Sequence, residues 1–368
     1  MSDRHEPFRA IARAASLDAV ALVPGANFTR LYGHDFHQNE RPLVVVIPAA
    51  GAPAAVVPNL ELGSFAGLGF EGEVFDWRDQ TGYQGAFDAL FAHLAVRSIG
   101  VEGQGMRVFV EQALGRGARS VGTDDLRIVD LQREIAALRL RKNADEIAAL
   151  RKAIGLTETA LAETVAEVRV GMSEKAIENL LVQRLFANGA DDFAFPPIVA
   201  AGDNSARPHA SARDDYAVRS GDALLVDFGG RRGGLCADIT RTFFVGHCAD
   251  AHAAIHDTVR RANEAGRAAS RPGTTAHAID DAASAVLEAS PYADRIRHKT
   301  GHGLGRDIHE DPYIMRGNRE TLEPGMVFTV EPGLYALGDM GVRIEDDVLI
   351  TADGHESLTM FERGVRIL

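Results

Sequence analysis

Acidic residues and a histidine with the spacing of a reactive site occur in the C-terminal half of the sequence. Asp227 and Asp238 flank a glycine-rich segment, and Glu331 and Glu345 occupy two apolar runs further along. His302 lies between the two pairs, in the sequence Gly-His-Gly-Leu-Gly. Four carboxylates and one imidazole form a hard, oxygen-rich ligand set that suits two divalent ions bridged by carboxylates. Two such ions can share a hydroxide and polarise a carbonyl group, which indicates hydrolysis.

Two predicted β-hairpins would bring the four acids together. The first turns in the glycine-rich segment and places Asp227 and Asp238 on neighbouring strands, directly or diagonally across from each other. The second turns near Gly338, so that Glu331 and Glu345 face each other. Like charges opposed across a sheet are destabilising, and a buried carboxylate without a partner is neutralised or costs free energy. The two pairs therefore require a counter-charge.

Other interpretations of these acids fit the spacing as well. The acids could point to solvent or pair with Arg241 and Arg343. A single divalent ion, or a carboxylate pair that works as a glycosidase, also remains open at this point. The glycines around His302 suit the close approach of a ligand, whereas a polar loop with two histidines, His302 and His309, is the alternative.

Two domains must position these residues, because 368 residues exceed the usual size of one hydrophobic core. Residues 1–140 alternate strand-like runs with helices, which predicts a smaller α/β domain. Residues 141–368 repeat a pattern of helix, helix and strands, which predicts a duplicated α+β domain with antiparallel sheet under four helices. Asn143 or Asp145 is a candidate cap of the first long helix. The site should lie where the two halves meet.

Composition excludes several classes of function. The net charge of -13 comes from 52 acidic and 39 basic residues, which argues against nucleic-acid and anionic-membrane binding. No apolar segment reaches the roughly 18 residues of a membrane span, and no signal-like N-terminal run is present. Two cysteines, Cys236 and Cys248, fit a reducing compartment. We therefore expect a cytoplasmic protein.

The order and flanking residues of the five candidate ligands resemble the methionine aminopeptidase, prolidase and creatinase superfamily. Val-Glu-Pro-Gly surrounds Glu331, and Arg-Ile-Glu-Asp-Asp surrounds Glu345. The resemblance spans residues 143–368 and implies the pita-bread fold with two divalent metal ions, Mn before Co, Zn or Fe. It implies that Asp227 and Glu331 each bind mainly one metal, that Asp238 and Glu345 bridge both, and that His302 is the imidazole ligand. Arg30-Leu-Tyr-Gly and the segment 40–48 resemble a creatinase-type N-terminal domain.

The same resemblance implies roles outside the ligand set. Glu331 would also shuttle a proton, His209 would lie near the scissile bond, and His309 would stabilise the tetrahedral intermediate. An imidazole donor near a polarised carbonyl stabilises developing oxyanion charge. Arg343 shares a strand face with Glu345. This Arg-x-Glu pattern is similar to the prolidase and aminopeptidase P branch, where the arginine supports the metal-site carboxylates or the substrate.

Similarity to that branch implies hydrolysis of an Xaa-Pro bond in a small peptide. We favour a dipeptidase, with an Xaa-Pro aminopeptidase that acts on longer peptides as the alternative. A dipeptidase needs a cation for the substrate carboxylate. Some prolidases have an arginine after His-Glu-x-Pro, where this chain has Tyr313, a candidate substrate-binding residue. Arg41, with His37 beside it in a polar cluster, is a second candidate, reaching a site in a homodimer. A metal-free creatinase-like hydrolase and a non-catalytic binding protein are the remaining alternatives, although such proteins lack part of the ligand set.

Overall fold

The computed structural model describes residues 3–368, and the chain divides into two compact units, Met1–Arg139 and Leu140–Leu368. The predicted boundary, after residue 140, lies one residue further along. Among the helices described within residues 3–368, none is both long and apolar enough to cross a membrane.

The first unit is a six-stranded sheet with helices on both faces. Its strand order is β4-β3-β2-β1-β5-β6, antiparallel between β1 and β2 and between β2 and β3, and parallel elsewhere. The strands are β1 Ala19–Leu22, β2 Val44–Pro48, β3 Ala54–Pro58, β4 Glu73–Trp77, β5 Ser98–Val101 and β6 Arg127–Asp130. The helices are α1 Glu6–Ala14, α2 Ala26–Tyr32, α3 Leu62–Ala66, α4 Gln84–His93, α5 Val108–Ser120 and α6 Gln132–Ala136.

The continuous apolar runs of this unit are strands buried on both sides. In β1, Ala19 and Ala21 pack into one hydrophobic cluster, while Val20 and Leu22 pack into the other. Successive side chains of a strand point to opposite faces, so a strand between two helical layers needs apolar residues at every position. This arrangement confirms the predicted α/β class of the N-terminal region.

The second unit repeats two helices followed by strands. Its helices are α7 Ala144–Glu167, α8 Glu174–Ala187, α9 Asp250–Ala269 and α10 Ala276–Glu288. The strands of the first half are β7 Asp192–Phe193, β8 Ile198–Ala201, β9 Ala223–Phe228, β10 Gly230–Arg232, β11 Leu235–Cys236 and β12 Ile239–Phe244. Those of the second half are β13 Gly301–Gly303, β14 Glu310–Ile314, β15 Val327–Val330, β16 Gly333–Tyr335, β17 Gly341–Arg343, β18 Asp346–Ile350 and β19 His355–Ser357.

Antiparallel sheets carry the residues of interest in both halves. The first half has the orders β12-β9-β8 and β11-β10-β7, and the second has β14-β13-β15-β18-β19 and β16-β17. Apolar faces of the helices cover these sheets: Leu161 and Ile177 pack with Val226, while Val259 packs with Val342. The duplicated helix, helix and strand layout is the predicted one.

Local sequence sets where the helices of the second unit begin. The Asn143 side chain accepts a hydrogen bond from Glu146 N at 2.9 Å, and the Glu146 carboxylate accepts one from Asn143 N at 3.1 Å. This reciprocal pair satisfies two backbone donors that a helix start leaves unpaired. Of the two predicted caps, Asn143 is therefore the one that acts. Ser173 and Thr275 cap α8 and α10 with one hydrogen bond each, accepted from Ala176 N and Ala278 N.

Candidate active site

The first acidic pair is held by β9 and β12. Asp227 lies in β9 opposite Thr240 of β12, and Asp238 lies two residues before Thr240. The two aspartates are thus diagonal neighbours, one of the two predicted arrangements. The glycine-rich segment between Asp227 and Asp238 forms a small hairpin of β10 and β11. A Cβ atom on Gly229 would lie 1.7 Å from Ala237 O, so the chain can pass this close to Asp238 only with glycine.

The second acidic pair continues the register of two paired strands. Val330 of β15 pairs with Asp346 of β18, and the turn of the β16–β17 hairpin contains Gly338 at φ 81°. Glu331 and Glu345 are the next residues on each side, so they face each other as predicted. Their backbone N–H groups do not donate across the β15–β18 pair. Glu331 N donates to Thr300 O at 2.7 Å, and Glu345 N donates to Thr240 O at 3.1 Å. The second bond ties the two halves of the unit together at the site.

His302 stands in β13, between β14 and β15. A Cβ atom on Gly301 would lie 1.9 Å from Thr329 O, and one on Gly303 would lie 2.2 Å from Asp311 O. These two glycines therefore admit the neighbouring strand backbones, not a ligand, which corrects that part of the sequence-based interpretation. Their effect on the site is indirect, because the tight packing fixes the direction of the His302 ring.

These residues meet in one cavity of about 600 Å³ within the second unit. Asp238, His302 and Glu345 each offer a ligand atom, and those atoms lie within 4.8 Å of one another. The volume is in the range of small-molecule sites. The lining residues are Phe195, Ile198, Arg207, Pro208, His209, Asp227, Asp238, Arg297, His298, Lys299, His302, Ile308, His309, Glu331, Arg343 and Glu345.

The carboxylates are buried with oxygens that have no hydrogen-bond partner. Asp227 Oδ1, Asp238 Oδ1 and Glu345 Oε1 are such atoms. Burial, together with the neighbouring carboxylates, raises the pKa of Asp238 and Glu345 well above the usual range, and burial raises the pKa of Glu331 to about 7. Buried polar atoms are normally paired, so unpaired acidic oxygens converging on one point fit a cation.

The His302 ring supports the same conclusion. Its Nδ1 lies 3.0 Å from Gly303 O, which fixes the proton on Nδ1, and burial lowers its pKa to about 3, so the ring is neutral. Nε2 is then a lone-pair donor that faces Asp238 Oδ2 at 3.6 Å and Glu331 Oε1 at 3.5 Å. Three acceptors facing one another repel unless a proton or a metal ion lies between them. The arrangement suits a metal whose imidazole ligand is oriented by a backbone carbonyl.

Arg343 is a buried cation that holds two of these carboxylates in place. Its guanidinium bonds the Asp227 carboxylate, and it donates to Thr240 Oγ1 at 3.0 Å and to Tyr335 OH at 2.7 Å. Thr240 Oγ1 in turn donates to Glu345 Oε2 at 2.6 Å. Arg343 thus holds one carboxylate directly and a second through Thr240. The alternative partner Arg241 serves elsewhere, because it bonds the Asp346 carboxylate at 2.7 Å.

The two other predicted histidines lie at the exposed side of the cavity. His209 and His309 both line it and are solvent-exposed, in contrast to the buried His302. The rings of His302 and His309 are 4.2 Å apart between centroids, at an interplanar angle of 73°. His302 therefore points towards the buried carboxylates, whereas His309 is accessible to a substrate.

Two further candidate substrate-binding residues do not line the cavity. Tyr313, in β14, has Lys299 Nζ 5.3 Å from its ring centroid but does not itself line the cavity. Arg41 belongs to the first unit, whereas all the lining residues belong to the second. Its guanidinium is paired with Asp79 at 2.9 Å and with Glu40 at 2.5 Å. A role for Arg41 at a site stays a prediction.

Sequence reasoning missed several residues around the acids. Thr240, Tyr335 and His298 join the hydrogen bonds of Arg343, and Asp347 accepts a bond from Asp238 N at 3.1 Å. Thr240 could have been found from its position two residues after Asp238, which puts both on one strand face. Tyr335 and His298 are 37 residues apart, and no local pattern signals that they meet.

Comparison with known proteins agrees with this geometry. The model of metallopeptidase family M24 matches residues 148–352. The probable dipeptidase PepE of Mycobacterium tuberculosis is 36% identical over 360 residues, covering 95% of this chain and 92% of the relative. A prolidase structure from Thermococcus sibiricus matches with a TM-score of 0.93 and 31% identity, covering 99% of this chain and 98% of that one. An X-Pro aminopeptidase structure from Thermotoga maritima matches with a TM-score of 0.82 and 28% identity, covering 97% and 99%. These matches confirm the predicted pita-bread fold class.

Proposed function

This chain belongs to metallopeptidase family M24, and we propose that it is a dimetal dipeptidase that hydrolyses Xaa-Pro peptide bonds. The observation that carries the proposal is the convergence of buried, unpaired carboxylate oxygens on the neutral His302 ring, inside a cavity of dipeptide size. The similarity to a prolidase and to a probable dipeptidase supports the substrate class.

Five residues would hold two divalent ions. They are Asp227, Asp238, His302, Glu331 and Glu345. Mn is the first candidate, with Co, Zn and Fe as alternatives, because oxygen-rich sites accept several divalent metals. Metal bound there would supply an activated water and polarise the scissile carbonyl.

The side chains around this set perform the proton transfer and the charge stabilisation. Glu331, which lines the cavity beside His302, is placed to take a proton from the attacking water and pass it to the leaving proline nitrogen. His209 and His309 are placed to donate hydrogen bonds to the carbonyl oxygen as negative charge develops on it. Arg343 keeps Asp227 in its position and orientation.

Apolar side chains complete the binding surface. Phe195, Ile198 and Ile308 line the same cavity and are partly exposed within it. They offer a wall for the pyrrolidine ring and for the side chain that precedes it. Small-molecule sites commonly combine such a wall with a few polar groups.

Metal removal and two substitutions test the proposal. Chelated protein should lose hydrolysis of Ala-Pro and regain it with Mn, Co or Zn, at about two ions per chain. Asp238→Ala and Glu345→Ala should abolish hydrolysis, while the exposed Asp353→Ala serves as the control. Full hydrolysis after chelation would instead indicate a metal-free, creatinase-like mechanism.

The second candidate is an Xaa-Pro aminopeptidase, which the match to the Thermotoga maritima structure favours. The two activities differ in the group attached to the proline carbonyl, which is a free carboxylate oxygen in a dipeptide and a further residue in a longer peptide. Comparing Ala-Pro with Ala-Pro-Ala at equal metal loading separates them, because an aminopeptidase cleaves the longer peptide faster.

We also propose a cytoplasmic homodimer. The free thiols of Cys236 and Cys248 fit a reducing compartment, and the dimer follows from the expectation that Arg41 reaches a site in a homodimer. Light scattering coupled to size-exclusion chromatography and fractionation of cells test these two statements separately.

A further inference from the structure

The cavity contains four cationic side chains, and three of them are already engaged. Arg343 bonds Asp227, Thr240 and Tyr335. The other two arginines, Arg207 and Arg297, also have hydrogen-bond partners within the chain.

Arg207 and Arg297 are tied to nearby oxygens. Arg207 Nη1 donates to Asn204 Oδ1 at 3.2 Å and lies 3.8 Å from Asp203 Oδ2. Arg297 Nη1 donates to the backbone oxygens of Asp294 at 2.5 Å and Ile296 at 2.9 Å. Their charge is therefore partly satisfied by the chain itself.

Lys299 differs from all three. Within residues 3–368, its Nζ has no hydrogen-bond partner and no carboxylate oxygen within 4.0 Å. The ammonium lies over the Tyr313 ring, 5.3 Å from the centroid. An aromatic face attracts a cation but does not neutralise its charge, so the ring can position the ammonium and leave it available for an anion.

The location of Lys299 fits the anionic end of a small substrate. It follows His298 in the segment that leads into β13, and it lines the same cavity as His309 and Glu331. Its charge therefore lies in the cavity that contains the reacting groups. In a dipeptide the C-terminal carboxylate is separated from the scissile bond by a single residue, whereas a longer peptide has an uncharged amide there.

We propose that Lys299, positioned by Tyr313, binds the C-terminal carboxylate of the substrate and thereby makes this chain select dipeptides over longer peptides. The assignment rests on the proposed Xaa-Pro hydrolysis. It also gives Tyr313 a positioning role in place of direct substrate contact. A charge-assisted hydrogen bond to a carboxylate is stronger than a neutral one and is lost when the carboxylate is amidated.

The test compares Ala-Pro with Ala-Pro-amide in metal-loaded wild-type protein and in Lys299→Met. Methionine keeps the length of the side chain without its charge. We expect KM for Ala-Pro to rise about 10- to 100-fold with a smaller change in kcat, because the lost bond is a charged one. Hydrolysis of the amide should change by less than about threefold, so the preference for the free carboxylate should fall at least about tenfold. Lys299→Arg should restore most of the preference for the free carboxylate. Lys152→Met, at an exposed position, is the charge-matched control.

The outcomes are distinguishable. An unchanged ratio of the two substrates in Lys299→Met, or a fall of the ratio in Arg297→Met in its place, would overturn the role of Lys299 while the proposed function stands. A wild-type protein that cleaves neither substrate overturns both. Tyr313→Leu should raise KM for Ala-Pro only a few-fold, since a cation–aromatic contact is weaker than the ionic bond it supports.

Discussion

Replacement of Tyr335 by phenylalanine should weaken the buried support of the site. The Tyr335 hydroxyl lies between Arg343 Nη1 at 2.7 Å and His298 Nε2 at 2.8 Å. His298 Nδ1 lies 2.7 Å from Lys299 O, and burial lowers the pKa of His298 to about 4, so the ring is neutral with its proton on Nδ1. Nε2 must then accept from the tyrosine, whose oxygen accepts from the arginine. All three hydrogen bonds therefore have a defined direction.

The expected loss follows from these contacts. Phenylalanine keeps the fully buried ring but removes the hydroxyl. A hydrogen bond to a charged group contributes about 1.5–3 kcal/mol, and a neutral one about 1 kcal/mol. Arg343 Nη1 would retain only Pro208 O at 3.5 Å, which is a weak contact. We therefore expect the free energy of unfolding to fall by about 3 kcal/mol.

Urea unfolding of metal-free protein at pH 7.5 measures this difference without the stabilisation that a bound metal adds. Tyr292→Phe is the matched control in the same unit, because the Tyr292 hydroxyl has no protein hydrogen bond among the described residues. The reasoning is refuted if the Tyr335 variant unfolds within about 0.5 kcal/mol of wild type, a change usual for neutral surface substitutions. The metal concentration for half-maximal activity should also rise, since Arg343 then holds Asp227 less firmly.

Three further predictions concern residues outside the carboxylate cluster of the cavity. Lys142→Met should destabilise the protein by about 3 kcal/mol in thermal or urea unfolding, because it removes the ammonium that lies 2.5 Å from the buried Glu310 carboxylate; Lys142→Arg should recover part of the loss. Asn143→Ala should cost about 1 kcal/mol of unfolding free energy and Asn143→Ser much less, since only the first loses the cap of α7; equal losses would contradict the capping role. His256 is buried, and burial lowers its pKa from 6.5 to about 4, so the unfolded chain takes up a proton that the folded chain does not. Its contribution is therefore fully present above pH 6.5 and is lost as pH falls towards 4, by about 2 kcal/mol at pH 5. Between pH 7 and pH 5, the free energy of unfolding of His256→Gln should therefore fall by less than that of wild type, by about this amount.

Much of the fold could be predicted because its signals are local. The apolar runs of the first unit predicted its strands, since strands covered on both faces need apolar residues at successive positions. Asn143 was one of two candidate caps of α7, and the structure pairs it with Glu146, only three residues along the chain. The turn near Gly338 followed from the spacing of two apolar runs, and the observed register places Glu331 opposite Glu345 as predicted.

Other features required distant segments to meet. Arg343 was predicted near Glu345 from strand periodicity, but its bond to Asp227 joins residues 116 positions apart. The glycines beside His302 were interpreted as room for a ligand, whereas the packed structure fills that space with neighbouring strands. Tyr313 stays a predicted substrate-binding residue, and no local pattern signalled that Lys299 lies over its ring.

The sequence by itself determined the composition of the site: the ligand chemistry, the order of the motifs and the strands that carry them are all local properties of the chain. Only the tertiary structure decided which acids are buried without partners, which face of His302 is available and which cation in the cavity lacks a partner. These are differences between side chains of the same type. They depend on desolvation and on contacts made across the two halves of the unit, which no local pattern of residues encodes.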